Sequence, residues 1–219
     1  MIRITGGKFK QKKLASINDF VRPTSSLKRE AFFSIIESYA IKNSIELYKN
    51  KIFLDLFAGI GTMGLEAISR GISEVIFFEN NIEVINILRK NCLDICKNNQ
   101  FKIYDEDLIN SKLEIEFQNI SVVYIDPPYA KYNLTKFLEN LSNKIKDTTL
   151  IGLETSERDD IVIPENLNLL QKKTYGKTII YFLKLSLILV SKPIKVVSLI
   201  LFDKFSKSFV KLYFAYGGS

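Results

Sequence analysis

The stretch KIFLDLFAGIGTMG, residues 51–64, decides the fold of this chain. Its first half is an apolar run with the length and residue types of a buried parallel strand, and the pattern after it predicts a helix over residues 63–70. Between the two, Gly59, Gly61 and Gly64 match the spacing G-x-G-x-x-G, in which glycines let the backbone approach a nucleoside-containing ligand closely. The stretch therefore predicts the first strand, ligand-binding loop and helix of an α/β sheet.

The remainder of the chain continues to alternate between strands and helices. Strands are predicted over residues 51–57, 74–78, 101–104, 121–125 and 149–154, further helices over 82–96 and 134–145, and a hairpin over 167–174 and 177–183. Two short strands around Gly6-Gly7 and a helix ending near residue 39 precede them. This order predicts an α/β, doubly wound, mostly parallel seven-stranded sheet with a small N-terminal hairpin and helix extension.

Charge is distributed unevenly along the 219 residues. The net charge is +6 over residues 1–30 and +5 over residues 184–219, which leaves −4 for the middle of the chain. A basic arm beside a mildly acidic body favours a polyanionic partner such as nucleic acid, although a solvated lysine-rich surface would have the same composition. We divide the chain into a basic, polyanion-facing extension (1–50), a cofactor-binding domain (51–183) and a C-terminal extension without an assigned role (184–219).

Two acidic residues indicate which cofactor the glycine loop binds. Glu79 ends the second strand 20 residues after Gly59, where a carboxylate can bind ribose hydroxyls. Asp55 ends the first strand, where it can bind an ammonium group but would repel a pyrophosphate, which favours S-adenosylmethionine over a dinucleotide. Capping of the loop is the alternative role for Asp55. Asp107, in the loop after strand 101–104, is a candidate hydrogen-bond acceptor near the adenine of the cofactor, and Asp105 is the alternative for that role. The residues assigned to the cofactor are Asp55, Phe57, Ala58, Gly59, Gly61, Glu79, Asn80, Asp107 and Leu108.

The tetrapeptide Asp126-Pro127-Pro128-Tyr129 follows the apolar strand 121–125 directly. Two consecutive prolines end the strand and hold one backbone shape. A carboxylate and the carbonyls of two imides can accept hydrogen bonds from an amino group, and an aromatic ring can stack on a flat base. In a doubly wound sheet this strand lies beside strand 51–57, which places Asp126 next to the glycine loop. All four residues are therefore predicted to form a catalytic site for a planar amine.

Several classes of site are excluded by composition. The chain has no histidine, which excludes imidazole bases and the usual zinc sites, and we expect no metal. Cys92 and Cys96 lie one helical turn apart and are interpreted as a reduced pair. No apolar run reaches the roughly 18 residues of a membrane span and the N-terminus lacks the features of a signal peptide, so we expect a cytoplasmic protein, and a monomer.

The motifs taken together resemble a known family. Asp-Pro-Pro-Tyr with Phe-Ala-Gly-x-Gly resembles the class I amino-methyltransferases, which act on bases or glutamine amides. Six further segments of the chain narrow the resemblance to RsmD-type enzymes, which methylate the exocyclic N2 of a guanine in bacterial small-subunit (16S) ribosomal RNA. The residues that carry it are Arg3-Ile4-Thr5-Gly6-Gly7, Lys13-Leu14, Arg22-Pro23-Thr24, Arg29-Glu30-Ala31-Phe32, Gly64-Leu65-Glu66-Ala67 and Tyr175-Gly176-Lys177-Thr178.

The resemblance implies a Rossmann-like class I methyltransferase that uses S-adenosylmethionine and binds ribosomal RNA, in the small subunit or an assembly intermediate. Asp126 and the carbonyl of Pro127 would accept hydrogen bonds from the amine, and Tyr129 would stack on the base. The residues expected to contact RNA are Lys8, Lys10, Lys12, Lys13, Arg22, Thr24 and Arg29. The family usually has an aspartate and then an arginine soon after Arg-Pro-Thr, whereas this chain has Ser25-Ser26-Leu27 and so loses a charge pair.

Other functions are compatible with the same residues. A DNA adenine-N6 methyltransferase uses the same tetrapeptide and fold, although this chain has little room for a target-recognition segment. A protein-glutamine methyltransferase would more often have asparagine at position 126. An RNA-binding or assembly protein that has lost catalysis is consistent with Ser25-Ser26-Leu27 and with the unassigned C-terminal extension.

Overall fold

The computed structural model describes residues 2–16, 24–108, 113–128, 133–157, 159 and 161–186. Within these ranges the elements in chain order are β1 (Ile2–Arg3), β2 (Lys13–Leu14), α1 (Thr24–Lys42), β3 (Ile52–Leu56), α2 (Thr62–Arg70), β4 (Glu74–Glu79), α3 (Ile82–Ile95), β5 (Phe101–Asp105), β6 (Ile120–Ile125), α4 (Leu134–Ser142), β7 (Leu150–Ser156), β8 (Leu167–Tyr175) and β9 (Thr178–Leu185). Residues Met1–Ser186 belong to one compact unit. The predictions for Arg22, Tyr129 and residues 187–219 fall outside the described residues.

Seven strands form one sheet in the order β5-β4-β3-β6-β7-β9-β8. Neighbouring strands from β5 to β7 are parallel, and β9 pairs antiparallel with both β7 and β8. β1 and β2 form a separate antiparallel pair. The predicted mostly parallel, doubly wound sheet of seven strands with an N-terminal hairpin is therefore confirmed.

β3 and β6 are neighbours in the sheet, as the sequence predicts. Their register places Leu56 opposite Ile125, and the backbone N–H of Asp126 donates to the carbonyl of Leu56 at 3.4 Å. The strand order reverses here, because β3 is followed by β4 on one side while β6 is followed by β7 on the other. The loop after β3 and the segment after β6 therefore lie side by side at the switch point of the sheet.

Apolar layers cover both faces of the sheet. The layer on one face contains Tyr124 and side chains of α1, α2 and α3, and the layer on the other contains Ile125 and side chains of α4. Phe32 of α1 lies with its ring centroid 5.0 Å from that of Tyr124 and 5.5 Å from that of Phe182. Gly152 of β7 makes room for this aromatic group, since a Cβ there would lie 2.3 Å from the ring of Phe32.

The N-terminal hairpin has shorter strands than the sequence pattern predicts. β1 and β2 have two residues each, and the chain between them forms turns. This turn docks on the last turn of α2, where the N–H groups of Lys8 and Phe9 donate to the carbonyl and hydroxyl oxygens of Ser69 at 2.7 and 2.8 Å. Gly7 has φ 72°, and a Cβ there would lie 1.9 Å from the Ser69 carbonyl oxygen, so the docked turn requires glycine.

The carboxylate of Glu66 joins the hairpin, α1 and α2. Glu66 is fully buried. The N–H groups of Thr5 and Gly6 donate to it at 2.8 and 2.7 Å, and the Thr5 hydroxyl donates at 2.8 Å. Nε of Arg29 and Nε of Arg70 donate at 3.2 and 3.0 Å. A charged group can be buried at this depth because its hydrogen bonds and its opposite charges are supplied by the protein.

The position of Arg29 contradicts its predicted contact with RNA phosphates. The residue is 3% exposed, and besides its bond to Glu66 it donates to the carbonyl oxygen of Arg3. Arg29 therefore holds α1 against the hairpin and presents no surface to a phosphate. The sequence pattern did not separate a buried arginine from an exposed one because the carboxylate that binds it is 37 residues away.

The remaining element bounds agree with the predictions to within a few residues. α4 ends at Ser142 rather than near residue 145, because the chain turns and the N–H of Lys144 donates to the carbonyl of Leu141 at 2.9 Å. No helix in the described ranges combines the length and apolar character needed to cross a membrane.

Replacing Glu66 with alanine is expected to lower the free energy of unfolding by about 3–5 kcal/mol, because Arg29 would remain buried without its charged partner. Urea denaturation followed by circular dichroism measures this change. Glu30→Ala, at an exposed position of α1, is the control and should change stability by less than about 0.5 kcal/mol. Equal destabilisation by the two variants would contradict the role assigned to Glu66.

Candidate active site

The loop after β3 is shaped by Asp55 and by backbone conformations that favour glycine. Asp55 is 2% exposed, and its Oδ2 accepts a hydrogen bond from the N–H of Gly64 at 2.9 Å. Phe57, Gly59 and Gly61 have φ values of 63°, 56° and 84°, so the chain enters the left-handed region at each of them. Asp55 therefore caps the loop, as its alternative interpretation proposes, and its contact with a cofactor stays a prediction.

Three acidic side chains lie at this end of the sheet. Burial raises the pKa of Asp55 well above its usual range, and the N–H of Gly64 opposes this shift. The neighbouring carboxyl groups of Asp126 and Glu79 raise the pKa of Asp55 further. A positive group bound among these side chains would restore the charged form of Asp55, since an opposite charge within a few ångströms favours the ionised carboxylate.

The three loop glycines have different structural roles. A Cβ at Gly61 would lie 2.4 Å from Leu88, and a Cβ at Gly64 would lie 2.4 Å from Phe77, so these two glycines allow close packing. Gly59 faces open space, because a Cβ there would have no atom of the described residues within 4 Å. Gly59 is therefore the position at which the loop leaves room for a ligand.

Glu79 borders the same space from the end of β4. Its Oε2 accepts from the N–H of Gly59 at 2.9 Å, and its Oε1 accepts from the N–H groups of Asn80 and Asn81 at 3.0 Å. These bonds fix the half-buried carboxylate beside the open side of the loop. Ala58, in the loop after β3, is buried, and Asn80, after β4, is exposed; the contact of each with a cofactor stays a prediction.

The residues predicted to surround the adenine are divided between the surface and the core. Asp105 lies opposite Glu79 in the register of β4 and β5, and Asp107 is exposed two residues later. Leu108 is 3% exposed and packs in the apolar layer that α4 covers. The side chain of Leu108 therefore belongs to the core, and its contact with a cofactor stays a prediction.

Asn91 positions the glycine loop and was not found from the sequence. Its residue is buried in α3, where its amide nitrogen donates to the carbonyl oxygens of Ile60 and Ala15, both at 3.1 Å. Its Oδ1 accepts from the N–H of Ala15 at 2.8 Å. The amide thereby connects the loop to the segment that follows the hairpin. An asparagine on the buried side of an amphipathic helix was the available signal.

Asp126, Pro127 and Pro128 follow β6 at the same edge of the sheet. Asp126 and Pro128 are exposed and Pro127 is buried. Although Asp126 has an exposed surface, the surrounding protein desolvates its carboxyl group and raises its pKa to about 7, with a further upward contribution from Glu154 and a downward one from Lys28. The carboxyl group of Asp126 therefore gains or loses its proton near neutral pH.

Glu154 is, after Asn91, the second residue near the candidate site that the sequence analysis missed. It is 5% exposed near the end of β7, and the hydroxyl of Tyr124 donates to its Oε2 at 2.5 Å. Nζ of Lys28 forms an ion pair with its other oxygen. Lys28 directly follows Ser25-Ser26-Leu27, the segment that lacks the charge pair usual in the family. This part of α1 nevertheless forms an ion pair, between Lys28 and Glu154, which is 126 residues away. The signal for Glu154 was an acidic residue at the carboxyl end of a buried strand.

The basic turn of the hairpin lies at some distance from the glycine loop. Its exposed lysines are Lys8, Lys10, Lys12 and Lys13. The turn docks on Ser69 near the end of α2, a helix of nine residues that begins beside the glycine loop and is about 13 Å long. Arg22 and the side chain of Thr24 lie outside the described residues.

Metal-binding clusters of three or more Cys, Asp or Glu side chains do not occur in the described part of the chain.

The order of the seven strands, the glycine loop after β3 and the Asp126-Pro127-Pro128 segment after β6 together define a Rossmann-like class I methyltransferase fold.

Comparison with known proteins identifies the family. Residues 2–184 match the family described as Conserved hypothetical protein 95, so the chain belongs to that family. The ribosomal RNA small subunit methyltransferase D of Haemophilus influenzae is 31% identical over 182 residues, which are 80% of this chain and 89% of that protein. The resemblance to RsmD-type methyltransferases is thereby confirmed.

Solved structures agree with this assignment. A putative methylase from Haemophilus influenzae is 27% identical with a TM-score of 0.65, over 84% of this chain and 97% of that one. A putative methyltransferase from Escherichia coli has a TM-score of 0.69 over 84% of this chain and 98% of that one, at 23% identity, and supports the fold alone.

Replacing Asn91 with alanine is expected to lower the free energy of unfolding by about 1–3 kcal/mol, because backbone groups of Ala15 and Ile60 lose their partner. It should also speed amide hydrogen exchange in the glycine loop. Asn98→Ala, at an exposed position after α3, is the control and should leave both quantities unchanged. The role of Asn91 would be refuted if the two variants behaved alike.

Proposed function

We propose that this protein transfers the methyl group of S-adenosylmethionine to the exocyclic N2 amine of a guanine in small-subunit ribosomal RNA. The observation that carries the proposal is the position of Asp126, at the end of β6 beside the loop that follows β3. The name of the Haemophilus influenzae relative supports ribosomal RNA as the substrate. The choice of guanine N2 rests on the resemblance to RsmD-type enzymes.

The residues around the glycine loop fit S-adenosylmethionine. When bound, this cofactor supplies a methyl group on a positively charged sulfur. Asp55, Asp126 and Glu79 supply acidic groups that suit a cationic ligand, since a positive charge nearby favours the ionised form of a carboxyl group. The fixed carboxylate of Glu79 is placed to bind hydroxyl groups, and the open space at Gly59 leaves room for the backbone to approach a ligand.

Asp126 and the carbonyl of Pro127 would orient the amine. Both accept hydrogen bonds, so they can bind the two N–H groups and direct the nitrogen lone pair towards the methyl donor. A hydrogen bond to a charged acceptor contributes roughly 1.5–3 kcal/mol, whereas alignment of two reactants can contribute about 7–11 kcal/mol. Positioning is therefore the larger effect. Because its pKa lies at about 7, Asp126 is also suited to take the proton that the nitrogen releases.

The base must leave its stack to reach Asp126, because the amine of a stacked guanine is enclosed by its neighbours. Tyr129 is proposed to stack on the extruded base, a contact worth about 1–3 kcal/mol in other complexes. Tyr129 lies directly after the described residues 126–128, so this role rests on its place in the sequence.

The hairpin lysines are proposed to hold flanking RNA. Lys8, Lys10, Lys12 and Lys13 are exposed on one short hairpin that Glu66 and Ser69 fix to α2. A fixed group of cations gives a polyanion a defined register, and the contacts become weaker as salt rises. The partner is therefore proposed to be ribosomal RNA, free or within a small subunit or its assembly intermediate.

Asp126→Ala is expected to abolish methyl transfer, at least about 100-fold, while binding of S-adenosylmethionine persists, because the residue acts on the amine. Transfer of tritiated methyl groups to naked 16S RNA, small subunits and DNA measures activity, and calorimetry measures cofactor binding. Asp94→Ala, on the exposed side of α3, should have parental activity. A near-parental rate in Asp126→Ala would refute the assigned role, and methylation of DNA alone would replace the proposed substrate.

Changing Lys10, Lys12 and Lys13 to glutamate is expected to weaken RNA binding and to flatten its dependence on salt. Each lost phosphate contact should reduce the slope of log K against log[salt] by about 0.7–0.9. Filter binding at several salt concentrations measures the slope.

The control for this charge reversal changes an equal number of exposed lysines elsewhere. Its substitutions are Lys42→Glu, Lys97→Glu and Lys146→Glu. It alters the net charge equally, so a slope lowered only by the hairpin variant assigns the contacts to the hairpin. The same slope in both variants would remove the hairpin from the interface.

A further inference from the structure

The side chains of Lys28, Tyr124 and Glu154 form a network beside the candidate active site. Lys28 of α1 forms an ion pair with Oε1 of Glu154, and the hydroxyl of Tyr124 donates to Oε2 at 2.5 Å. Burial raises the pKa of Tyr124 well above its usual range, so the phenol keeps its proton and acts as the donor. Both oxygens of Glu154 are thus bound, and three elements of the fold meet at one carboxylate.

Asp126 is the next neighbour of this network. β6 and β7 are parallel with Ile125 opposite Leu153, so the residues that follow, Asp126 and Glu154, are adjacent across the strands. Both belong to the face that carries Tyr124, because side chains alternate along a strand. Two carboxyl groups therefore lie side by side at the edge where the reaction is proposed to occur.

The charged and titratable groups around Asp126 come from four elements. Glu154 of β7 and Asp55 of β3 are acidic, Tyr124 of β6 is a phenol, and Lys28 of α1 is a cation. The Glu154 carboxylate beside Asp126 raises the pKa of the Asp126 carboxyl group, because like charges disfavour ionisation. Lys28 offsets this repulsion, and its contribution lowers the pKa of Asp126.

We propose that Lys28, held by Glu154, is a positioning residue that keeps a large fraction of Asp126 ionised at neutral pH and so a strong acceptor of hydrogen bonds from the substrate amine. The inference rests on the role of Asp126 under the proposed function. Lys28 acts through electrostatics and need not contact the RNA or the cofactor. Its distance in sequence from Asp126 and Glu154 leaves no local pattern that would assign it this role.

Titration of Asp126 tests the electrostatic part without any substrate. The ¹³Cγ signal of Asp126 is followed with pH in aspartate-labelled protein, and Asp126→Asn identifies the signal. From a midpoint of about 7 in the parent, Lys28→Met is expected to raise the midpoint by about one pH unit or more, and Glu154→Gln to lower it by a similar amount. Lys28→Arg should keep the parental midpoint, and so should Lys42→Met, the control at the far end of α1.

Opposite shifts in Lys28→Met and Glu154→Gln support the inference, and parental midpoints in both overturn it. Thermal melting of each variant checks that it is folded. If Lys28→Met does not fold, Glu154→Gln decides the question, because its amide still accepts from Tyr124 while its negative charge is gone. A parental or raised midpoint in Glu154→Gln would then overturn the inference.

The pH dependence of methyl transfer tests the functional part. A carboxylate with a raised pKa is active above that pKa, so kcat/KM should fall as the pH drops through the Asp126 midpoint. In Lys28→Met this fall should move to higher pH, with at least about fivefold lower activity at pH 7 and recovery to within about threefold at pH 9. An equal loss at every pH would mean that Lys28 only supports the fold, and would overturn the inference.

The two measurements separate this inference from the proposed function. If the parent methylates no RNA at any pH, the proposed function fails, and the titration still decides whether Lys28 and Glu154 control the charge of Asp126. If the midpoint shifts but the pH–rate profile does not follow it, the control of charge has no catalytic effect and the positioning role is overturned.

Discussion

Parallel pairing between β3 and β6 is the constraint on which the candidate site depends. The register that places Leu56 opposite Ile125 brings the glycine loop and Asp126 to one edge of the sheet. Apolar layers cover both faces of these strands, so a shift by one residue would move Asp55 and Asp126 to the wrong face and place buried side chains against the wrong helices. The core thus fixes the relation between the loop after β3 and the proposed amine-binding residues.

A second constraint acts from the N-terminal side. The buried carboxylate of Glu66 binds Arg29 of α1, Arg70 of α2 and the hairpin at Thr5. A buried ion pair adds little net stability compared with an apolar contact, but an unpaired charge is costly, so the arrangement strongly disfavours any other placement of α1. Because Lys28 is the residue before Arg29, the same arrangement places Lys28 against Glu154.

Local periodicity in the sequence predicts the strands, helices and loop glycines. It does not predict contacts between side chains that are far apart in the sequence. The parallel strands and the loop glycines follow from apolar runs and local spacing, and the pairing of β3 with β6 follows from the strand order of doubly wound sheets. Arg29 was assigned to RNA because sequence pattern does not reveal burial, and this residue is in the interior. Glu154 was missed for a related reason, since its partner Lys28 is 126 residues away and neither residue belongs to a motif. Three-dimensional packing decides these roles.

The absence of histidine from the chain bears on how such a site can handle protons. An imidazole changes charge near neutral pH without help, whereas an aspartate must be desolvated and placed near another carboxylate before its pKa approaches 7. Both conditions are met at Asp126, where the protein around its carboxyl group and Glu154 raise the pKa while Lys28 limits the rise. A larger rise would leave a neutral acid, which is a weaker hydrogen-bond acceptor and cannot take up a proton, and a smaller one would leave a weak proton acceptor. The proposed chemistry therefore requires the balance between Glu154 and Lys28 as much as it requires Asp126 itself.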